Sequence, residues 1–442
     1  MNLFPRELIG EISNVLHERD ATSLGKTNKQ FLANLSKTDF GYKVDHPVTI
    51  DTIYHVDVKA KYERKTYIVG HFKHAQVENL DELDRLQTLW PSLTHLTFGR
   101  HFNQSVNNLH LFKSLTHLTF GYCFDQSVDN LSLPESLTHL TFGSHFNQSI
   151  DKLNLQLQMS LTHLTFGYYF KQLVDNILPQ SLTHLTFGHC FNQPVHNLKF
   201  PVSLIHIEFG HYFNQSVDNI TLHQSLTHLT FGHYFNQSVD NLKLPQSLKQ
   251  LTFGYYFNQS VDNLKLPTSL THLTFGHCFN QPVDNLRLQR QLSLTHLTVG
   301  HCFNQSAENL KLPTSLTYLA FGFAFNQPID KIKLPQSLTH IKFEALLNQS
   351  IDNLKLPETL THLTFGYYFN QPVDNLKLPQ TLTHLTFGFC FNQEIDKLKL
   401  PQTLTHLKFG YRFNRSLVCL ASLSHLSIRR QQLFNSEINI EK

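Results

Sequence analysis

Residues 360–381 read LTHLTFGYYFNQPVDNLKLPQT, and near-copies of this stretch fill most of the 442-residue chain. The step from one copy to the next is 22 residues, except for two steps of 24 residues and one of 21. A fixed period of this size predicts a solenoid, in which each coil buries its apolar side only by stacking on its neighbours. The fifteen copies open at Leu93, Leu115, Leu137, Leu161, Leu182, Leu204, Leu226, Leu248, Leu270, Leu294, Leu316, Leu338, Leu360, Leu382 and Leu404.

Two stretches of each copy alternate apolar and polar residues. The first, LTHLTFG at residues 360–366, predicts a half-buried strand whose final glycine lies where we expect the chain to turn. The second, VDNLKLP at residues 373–379, predicts another short strand. We therefore expect a mainly β fold in which neighbouring coils pair as parallel ladders around an apolar axis. The 37 phenylalanines suit such an axis, and we expect Phe257, Phe279 and Phe369 to be buried in it.

The composition argues against several classes of partner and location. The chain has 36 basic and 33 acidic residues and a formal net charge of +3, so we expect neither nucleic acid nor a membrane as a partner. No apolar run approaches the ~18 residues that identify a membrane-spanning helix. The opening MNLFPRELIGEI has charges where a signal peptide has an apolar core, which predicts an intracellular, cytoplasmic protein.

Residues 1–45 differ from the repeats. Apolar residues follow Pro5 at helical spacing, and Asp20 is placed to cap a second helix, so we expect a small helical module. Short helices in so few residues bury little apolar surface, which indicates a module completed by a partner or by its neighbour. The stretch LFPRELIGEISNVLHERDATSLGKTNKQF resembles an F-box. The residues that match the pattern of that family are Leu3, Pro5, Glu7, Leu8, Ile12, Leu16, Asp20, Leu24 and Lys29.

The units that contain FNQ resemble FNIP repeats, which are relatives of leucine-rich repeats. Proteins that join an F-box to FNIP repeats are abundant in amoebae and in the giant viruses that infect them. The resemblance implies a leucine-rich-repeat-like solenoid and a non-enzymatic adaptor of a cullin-type ubiquitin ligase, in the host cytoplasm if the protein is viral. It implies that the F-box docks on a Skp-type linker protein while the repeats hold a target protein. The residues implied in linker binding are Leu3, Pro5, Leu8, Ile12, Leu16 and Leu24.

Two alternatives to the adaptor stay open. One is a repeat scaffold that binds protein without any ubiquitin-ligase role, its F-box-like segment being only an end cap. A more distant one is a solenoid enzyme or an ice-binding solenoid. The interleaved histidines weaken the ice-binding alternative because they interrupt the flat threonine surface that it needs.

Four segments follow from these patterns. Residues 1–45 form the F-box-like module, and residues 46–92 form a linker with a degenerate capping coil, in which we align Val69-Gly70 with Phe98-Gly99. Within this second segment, DELDRLQTLWP at residues 81–91 predicts a short helix or a loop. Residues 93–422 form the repeat solenoid. Residues 423–442 form an incomplete last coil, which begins at Leu423, and a polar cap that shields the open edge.

The outward positions of the first strand supply the candidate target-binding residues. Histidine and threonine repeat there from coil to coil, and specificity is most readily encoded where a coil departs from that pattern. Glu208 and Lys342 interrupt the threonine positions and Tyr318 the histidine positions, so the candidate contact zones are His206 to Glu208 and Tyr318 to Lys342. At the corner that follows, we expect the asparagine of FNQ, such as Asn258, to bond backbone groups and to stack into a ladder.

Neither a catalytic site nor a site for a metal or cofactor is predicted. Five of the six cysteines share one repeat column, and their spacing is that of the repeat rather than of a metal-binding knuckle, so we expect buried, reduced thiols. The histidines offer one ligand type in a line, whereas a metal site needs three or four converging ligands. A catalytic site should occur once, and no nucleophile or carboxylate stands out from its column, so we expect a non-enzyme. The cysteines of the column are Cys123, Cys190, Cys278, Cys302 and Cys390. The histidines are His95, His117, His139, His163, His184, His206, His228, His272, His296, His340, His362, His384 and His406.

Overall fold

A computed structural model describes residues 74–89, 92–416 and 427–430. These residues fall into two compact units, one within Met1–Leu182 and the other within Thr183–Lys442, which we call unit 1 and unit 2. The F-box-like module lies outside the described residues, and so do all of its implied linker-binding side chains. These are Leu3, Pro5, Leu8, Ile12, Leu16 and Leu24.

Unit 1 contains one helix and five parallel strands that pair in chain order. Equivalent residues of successive copies lie opposite each other, so that His95 pairs with His117 and Leu96 with Leu118. The elements are β1 (His74–Val77), α1 (Leu80–Leu89), β2 (His95–Phe98), β3 (His117–Thr119), β4 (His139–Thr141) and β5 (His163–Thr165).

Unit 2 contains twelve strands with the same parallel pairing and the same register. They are β6 (His184–Thr186), β7 (His206–Glu208), β8 (His228–Thr230), β9 (Gln250–Thr252), β10 (His272–Thr274), β11 (His296–Thr298), β12 (Tyr318–Phe321), β13 (His340–Phe343), β14 (His362–Thr364), β15 (His384–Thr386), β16 (His406–Phe409) and β17 (Ser427–Arg430). The prediction of a parallel, mainly β solenoid is confirmed.

Stacked phenylalanines fill the core, as the sequence predicts. Phe257, Phe279 and Phe369 are each 0% exposed. The ring of Phe257 lies 4.1 Å from that of Phe253 in its own coil and 5.9 Å from those of Phe235 and Phe279 in the neighbouring coils. Because each ring packs against both neighbours, every coil completes the core of the next.

The second predicted strand does not form. Residues 373–379 fold into turns, in which Leu376 N–H donates to the Val373 carbonyl at 3.1 Å. Leu376 and Leu378 are still buried, at 4% and 8% exposed, so the alternation predicts burial correctly but not strand pairing. Between coils, the described residues of this side show one isolated bridge, Lys311–Lys333, and a backbone hydrogen bond of 2.8 Å from Ser132 N–H to the Asn107 carbonyl, but no continuous ladder.

The glycine after each strand has a role other than the predicted one. The chain turns there, since Phe257 N–H donates to the Gly254 carbonyl at 3.1 Å, but no glycine among the described residues has a positive φ. A Cβ at Gly254 would instead fall on the backbone carbonyl of Gly232 in the preceding coil. Glycine is therefore required because two backbones approach closely.

The three coils of unusual length each contain one residue in the left-handed region. The two 24-residue coils place Asn154 at φ 52° and Arg287 at φ 51°, each beside an additional short 3₁₀ turn, at Leu155–Leu157 and Leu288–Arg290. The 21-residue coil places Asn176 at φ 57°. These three are the only non-glycine residues with positive φ in the described part of the chain, and the strands on either side of the two 24-residue coils keep their register, so local backbone strain absorbs the two additional residues.

The first coil is present but begins eight residues later than predicted. Strand β1 pairs with β2 so that Val77, rather than Val69, lies opposite Phe98. Ala75 and Val77 are 1% and 0% exposed, so HAQV has the alternation of HLTF and supplies the inward side chains that a cap needs.

Helix α1 confirms the helical alternative for the segment around residues 81–91. Its start is fixed by Asn79 and Glu82, since Glu82 N–H donates to Asn79 Oδ1 at 3.0 Å and Glu82 Oε2 accepts from Glu78 N–H at 2.7 Å. Leu83 and Leu86 are buried, at 4% and 1% exposed, which packs the helix over the first coil.

Strand β17 confirms that another coil begins at the C-terminal end, but its register differs from the prediction. Ile428, rather than Leu426, lies opposite Leu407. No helix among the described residues is both long and apolar enough to cross a membrane.

Candidate protein-binding surface

The outward side of the strands, which we call the strand face, carries the predicted histidine column. In unit 1 the rings of His74, His95, His117 and His139 stack with centroids 3.9–4.0 Å apart. In unit 2, His340, His362, His384 and His406 stack at 4.1–4.2 Å. The sequence pattern predicts that these side chains point outward. Most of them are half-buried, because each ring covers the next.

Where a threonine precedes the histidine, it fixes the ring and its tautomer. Thr116 Oγ1 donates to the Thr94 carbonyl at 3.1 Å and lies 2.8 Å from His117 Nδ1. Its single proton is used on the carbonyl, so the hydroxyl must accept from an Nδ1–H group. The same pair of contacts occurs at Thr138, Thr271 and Thr361, among others. Each such histidine therefore keeps Nε2 as its acceptor at neutral pH.

Burial makes these imidazoles weak bases. The pKa of His95 falls from 6.5 to about 4, first because of burial and then because of the neighbouring His117, His74 and His139. Burial followed by neighbouring histidines also lowers the pKa values of His117, His206, His296, His362 and His384. At neutral pH these side chains are uncharged, so this part of the strand face is polar without being cationic.

His206 and Glu208 share strand β7 and form one departure zone. Ile205 replaces the usual threonine, so His206 has no hydroxyl to hold its ring, and that ring lies 5.8 Å from His184 and 5.7 Å from His228. Glu208 is exposed on the same strand. The rings are therefore farther apart at β7, where the threonine contact is lost, than in the regular part of the stack.

Tyr318 and Lys342 form the second departure zone, on the adjacent strands β12 and β13. Tyr318 is half-buried between His296 at 5.6 Å and His340 at 6.3 Å. Lys342 is exposed and pairs with Glu344 at 3.1 Å. Four strands separate these two from β7, so the structure brings each candidate pair together but keeps the two pairs apart.

A second surface, which the sequence analysis did not single out, borders the strand face. We call it the aromatic corner, and it consists of the two residues that follow the glycine of each coil. Its tyrosines stack between coils, with Tyr234 lying 4.9 Å from Tyr212 and 4.8 Å from Tyr256. The signal that could have revealed it is the recurrence of tyrosine directly after the strand. Its exposed aromatic residues in unit 2 are Tyr212, Tyr234, Tyr255, Tyr256, Phe323, Tyr367, Tyr368 and Tyr411, each 37–46% exposed.

The predicted asparagine ladder is confirmed and holds the corners in register. Asn258 Oδ1 accepts from Asn280 N–H at 2.8 Å, and Asn258 N–H donates to Asn236 Oδ1 at 2.9 Å. Gln281 Nε2 adds a bond of 3.2 Å to the same Asn258 oxygen. The backbone of one corner is therefore fixed by side chains of the corner before it, which keeps the aromatic corner rigid.

The corner cysteines are half-buried rather than buried, contrary to the sequence-based expectation. Each is the second residue of the aromatic corner and directly follows a histidine, a tyrosine or a phenylalanine. Cys123 Sγ, for example, lies 3.8 Å from His101 Nδ1. Burial therefore gives these thiols less protection from solvent than the column suggested.

Comparison with known proteins agrees with this repeat geometry. The FNIP repeat family matches residues 87–123, 124–155, 156–190, 191–234, 235–278, 303–345, 348–390 and 391–420. These stretches make up more than half of the chain. No curated protein sequence matches it.

Among solved structures, the chain is similar to CroV588, a giant-virus protein described as a novel circular leucine-rich-repeat protein. The two share 39% identity with a TM-score of 0.54, over 79% of this chain and 64% of CroV588. The chain thus spans less than two thirds of the length of that protein.

Two bacterial proteins are more distant. The internalin InlF of Listeria monocytogenes shares 16% identity with a TM-score of 0.44, over 79% of this chain and 89% of its own. YopM of Yersinia enterocolitica shares 18% with a TM-score of 0.37, over 74% of this chain and 86% of its own. Because the family model matches more than half of the residues and the structure repeats one 22-residue unit, the chain belongs to the FNIP repeat family and is a leucine-rich-repeat-like solenoid.

Proposed function

We propose that this protein is a non-enzymatic binding protein whose unit 2 takes a protein partner on the aromatic corner and the adjoining strand face. The observation that carries the proposal is the row of exposed, stacked tyrosines, with Tyr212, Tyr234 and Tyr256 43%, 37% and 41% exposed. Tyrosine is enriched at interfaces because it offers a large, rigid apolar surface and a hydroxyl that can bond the partner.

The strand face supports specificity rather than bulk affinity. Much of it is neutral at pH 7, while Glu208 presents an exposed carboxylate on β7 and Lys342 an exposed ion pair with Glu344 at β13. Charges of this kind discriminate between partners more than they strengthen binding. We therefore assign the anchor to the tyrosines and the choice of partner to the departure zones at His206, Glu208, Tyr318 and Lys342.

The test is quantitative capture of interacting proteins from cell extract by the full chain, comparing Tyr212→Ser, Tyr234→Ser and Tyr256→Ser combined with the parent. We expect the triple change to weaken capture of the same partner about tenfold or more, the loss expected when binding hot spots are removed. The matched control is Val202→Ser, which removes an apolar side chain 61% exposed in the same unit but outside the corner. Equal capture by the triple variant and the parent would contradict the proposal.

We further propose that residues 1–45 dock on a Skp-type linker protein, so that the bound target is held near the ubiquitin-charged enzyme of a cullin ligase. Proximity alone would raise the effective concentration of the target without chemistry by this chain. The support is the F-box-like pattern of Leu3, Pro5, Leu8, Ile12, Leu16 and Leu24 together with its junction to FNIP repeats. An intracellular, cytoplasmic location belongs to the same proposal.

This second step is tested with the full chain and purified linker protein. Leu8→Asp combined with Ile12→Asp should abolish linker binding and leave the circular dichroism of the repeats unchanged. Binding that survives the double change contradicts the adaptor role. If the parent chain captures a protein through its tyrosines but does not bind the linker, it is a protein-binding scaffold with no ubiquitin-ligase role.

A further inference from the structure

Two successive coils of unit 2 carry the sequence GHCFNQ at the aromatic corner, at residues 276–281 and 300–305. Parallel stacking therefore places His277 over His301 and Cys278 over Cys302. Of the five described cysteines, these are the only two at equivalent positions of neighbouring coils. The corner backbones are bonded together, with Cys302 N–H donating to the His277 carbonyl at 2.7 Å.

The side chains of this corner converge. His277 Nδ1 lies 3.8 Å from Cys302 Sγ and 3.9 Å from Cys278 Sγ. The ligand atoms of His277, His301 and Cys302 all lie within 4.8 Å of one another, whereas Cys278 is outside this mutually close set and approaches it through His277 Nδ1. No other group of three or more histidine, cysteine or carboxylate side chains in the described part of the chain meets this criterion.

The same column shows what the thiols add. At His211 and His233 the Nδ1 atom is buried and has no hydrogen-bond partner among the described residues, whereas His277 Nδ1 faces two sulfur atoms. Tyr255 stacks on His277 at 4.2 Å and Phe323 on His301 at 4.6 Å. The Phe323 ring cannot coordinate an ion, so the row of possible ligands ends at His301.

We propose that His277, Cys278, His301 and Cys302 form a binding site for a thiophilic divalent metal ion, with Zn²⁺ as the representative ion. Two sulfur and two imidazole ligands match the preference of Zn²⁺ and disfavour Mg²⁺ or Ca²⁺, which take oxygen ligands. Binding replaces the S–H protons of both cysteines with two sulfur–metal bonds and releases both protons to solvent.

The distances between His277 and the two sulfur atoms fit this ion with little movement. Zn–S bonds of about 2.3 Å and Zn–N bonds of about 2.0 Å at a tetrahedral angle separate sulfur from nitrogen by about 3.5 Å. The distances of 3.8 and 3.9 Å from His277 Nδ1 to the two sulfur atoms exceed this value by only a few tenths. His277 and His301 lie in nearly parallel planes, 13° apart, so one ion cannot lie in both planes. His301 must therefore rotate about its Cβ–Cγ bond, which makes it the weakest of the four ligands.

The imidazole and the thiol differ in how their protons bear on metal binding. Burial, and then His301, lower the pKa of His277, so its imidazole is neutral at pH 7. Burial, and then Cys302, raise the pKa of the Cys278 thiol, so an ion that binds there must displace the thiol proton. All four side chains are half-buried, which leaves the ion a path from solvent.

Cobalt is the direct probe, because tetrahedral Co²⁺ bound to thiolate has visible d–d bands and a near-ultraviolet charge-transfer band. The full chain, reduced and stripped of metal, is titrated with Co²⁺ and then with Zn²⁺ as competitor. We expect one equivalent of thiolate-bound Co²⁺, displaced by Zn²⁺.

Cys278→Ser combined with Cys302→Ser should abolish the charge-transfer band, and His277→Gln should weaken Co²⁺ binding by at least about tenfold, the least that loss of a supporting group costs. His301→Gln should cost less than His277→Gln.

Two matched controls separate this site from scattered binding. Cys390→Ser removes a corner thiol that follows Phe389 instead of a histidine, and His233→Gln removes a corner imidazole with no thiol beside it; both should leave the titration unchanged. Circular dichroism of each variant checks that the repeats remain folded. The proposal is overturned if the parent shows no thiolate–cobalt band, if the double cysteine variant keeps it, or if Cys390→Ser removes it.

Discussion

At the scale of a single residue, Phe257 tests the stacked core. It is 0% exposed and lies between the rings of Phe235 and Phe279. Phe257→Ala leaves a cavity that rigid neighbours cannot fill, so we expect it to cost about 3–5 kcal/mol of unfolding free energy. Tyr256→Ala, at a site 41% exposed beside it, should change stability by less than about 0.5 kcal/mol. Urea unfolding measures both, and similar midpoints for the two variants would show that the inward column is misassigned.

Gly254 tests the close approach of neighbouring backbones. A Cβ there would meet the Gly232 carbonyl, which cannot move without breaking the corner, whereas a Cβ at Gly99 would meet only the movable carboxylate of Glu78. Gly254→Ala should therefore be destabilising by more than about 1 kcal/mol, and Gly99→Ala by clearly less. Thermal melting of the two single variants decides this, and an equal loss in both would remove backbone approach as the reason for the glycines.

Residue-level prediction from the sequence works where a pattern determines the environment and fails where two coils must meet. Alternation identifies Phe257 as buried because period two determines which face it occupies. It does not predict that Thr116 fixes His117, or that Cys278 and Cys302 converge on His277, because these contacts depend on side-chain directions across coils. The repeated GHC was the available signal, and treating the cysteines as a column obscured the one place where two are adjacent.

At the scale of the strand, the histidine stack makes stability depend on pH. The folded pKa of His95 is about 4, whereas an unfolded histidine titrates near 6.5. Between these values the unfolded chain binds more protons, so stability falls as the pH drops below about 6.5, and the loss is complete only below the folded value. Above about pH 7 both states are neutral and the effect vanishes. Melting from pH 7.5 to 5 should show this decline.

The control for this effect is built into the repeat, since Gln250 occupies the histidine position of strand β9. His95→Gln combined with His117→Gln should make the acid-induced decline shallower, because the other stacked histidines still contribute to it. Because burial is the first cause of the shift and repulsion between histidines the next, added salt should restore only the smaller part of the lost stability. An acid-induced decline as steep in the glutamine variant as in the parent would exclude the stack as its cause.

The 24-residue coils offer a second test at the scale of the element. Arg287 has φ 51°, a conformation that costs a side-chain-bearing residue about 1 kcal/mol or more and glycine nothing. Arg287→Gly should therefore be neutral or stabilise the protein by up to about 1 kcal/mol. Lys265→Gly, at the matching position of a 22-residue coil without positive φ, should destabilise it by about 0.5–1 kcal/mol. Chemical denaturation compares them, and a loss at Arg287→Gly as large as at Lys265→Gly would refute the role of strain.

At the scale of the whole molecule, coil number should be adjustable in whole units. Deleting residues 226–247 of unit 2 joins two coils whose core rings, corner asparagines and strands have the same spacing as before. We expect a folded protein with unchanged circular dichroism per residue, because each coil contacts only its neighbours. Deleting residues 226–236, half a coil, places strand against corner and should abolish cooperative melting of that unit. Comparable melting of the two deletions would show that register does not hold the repeats together.

The repeat period predicted most of the architecture, because a 22-residue step leaves few ways to stack apolar faces. It did not predict the phase of the first coil, where β1 begins at His74, since the glycine that marks other coils is replaced by Glu78. It also overstated the second strand, because burial of Leu376 and Leu378 requires alternation but not pairing. The recurrence of tyrosine after the strand is visible in the sequence. How exposed these tyrosines are depends on how the corner folds, which the repeat period does not determine.

The threonine-fixed histidines give the strand face a definite hydrogen-bonding sense. With Nδ1–H directed to the hydroxyls of Thr116 and Thr138, the opposite nitrogens of His117 and His139 form a row of lone pairs, one per coil, with ring centroids 4.0 Å apart. A row of acceptors binds hydrogen-bond donors, so a partner suited to it carries amide, hydroxyl or ammonium groups with the same spacing. Protonation turns each acceptor into a donor. Acid therefore changes the complement of this face from donors to carboxylates while its shape stays the same.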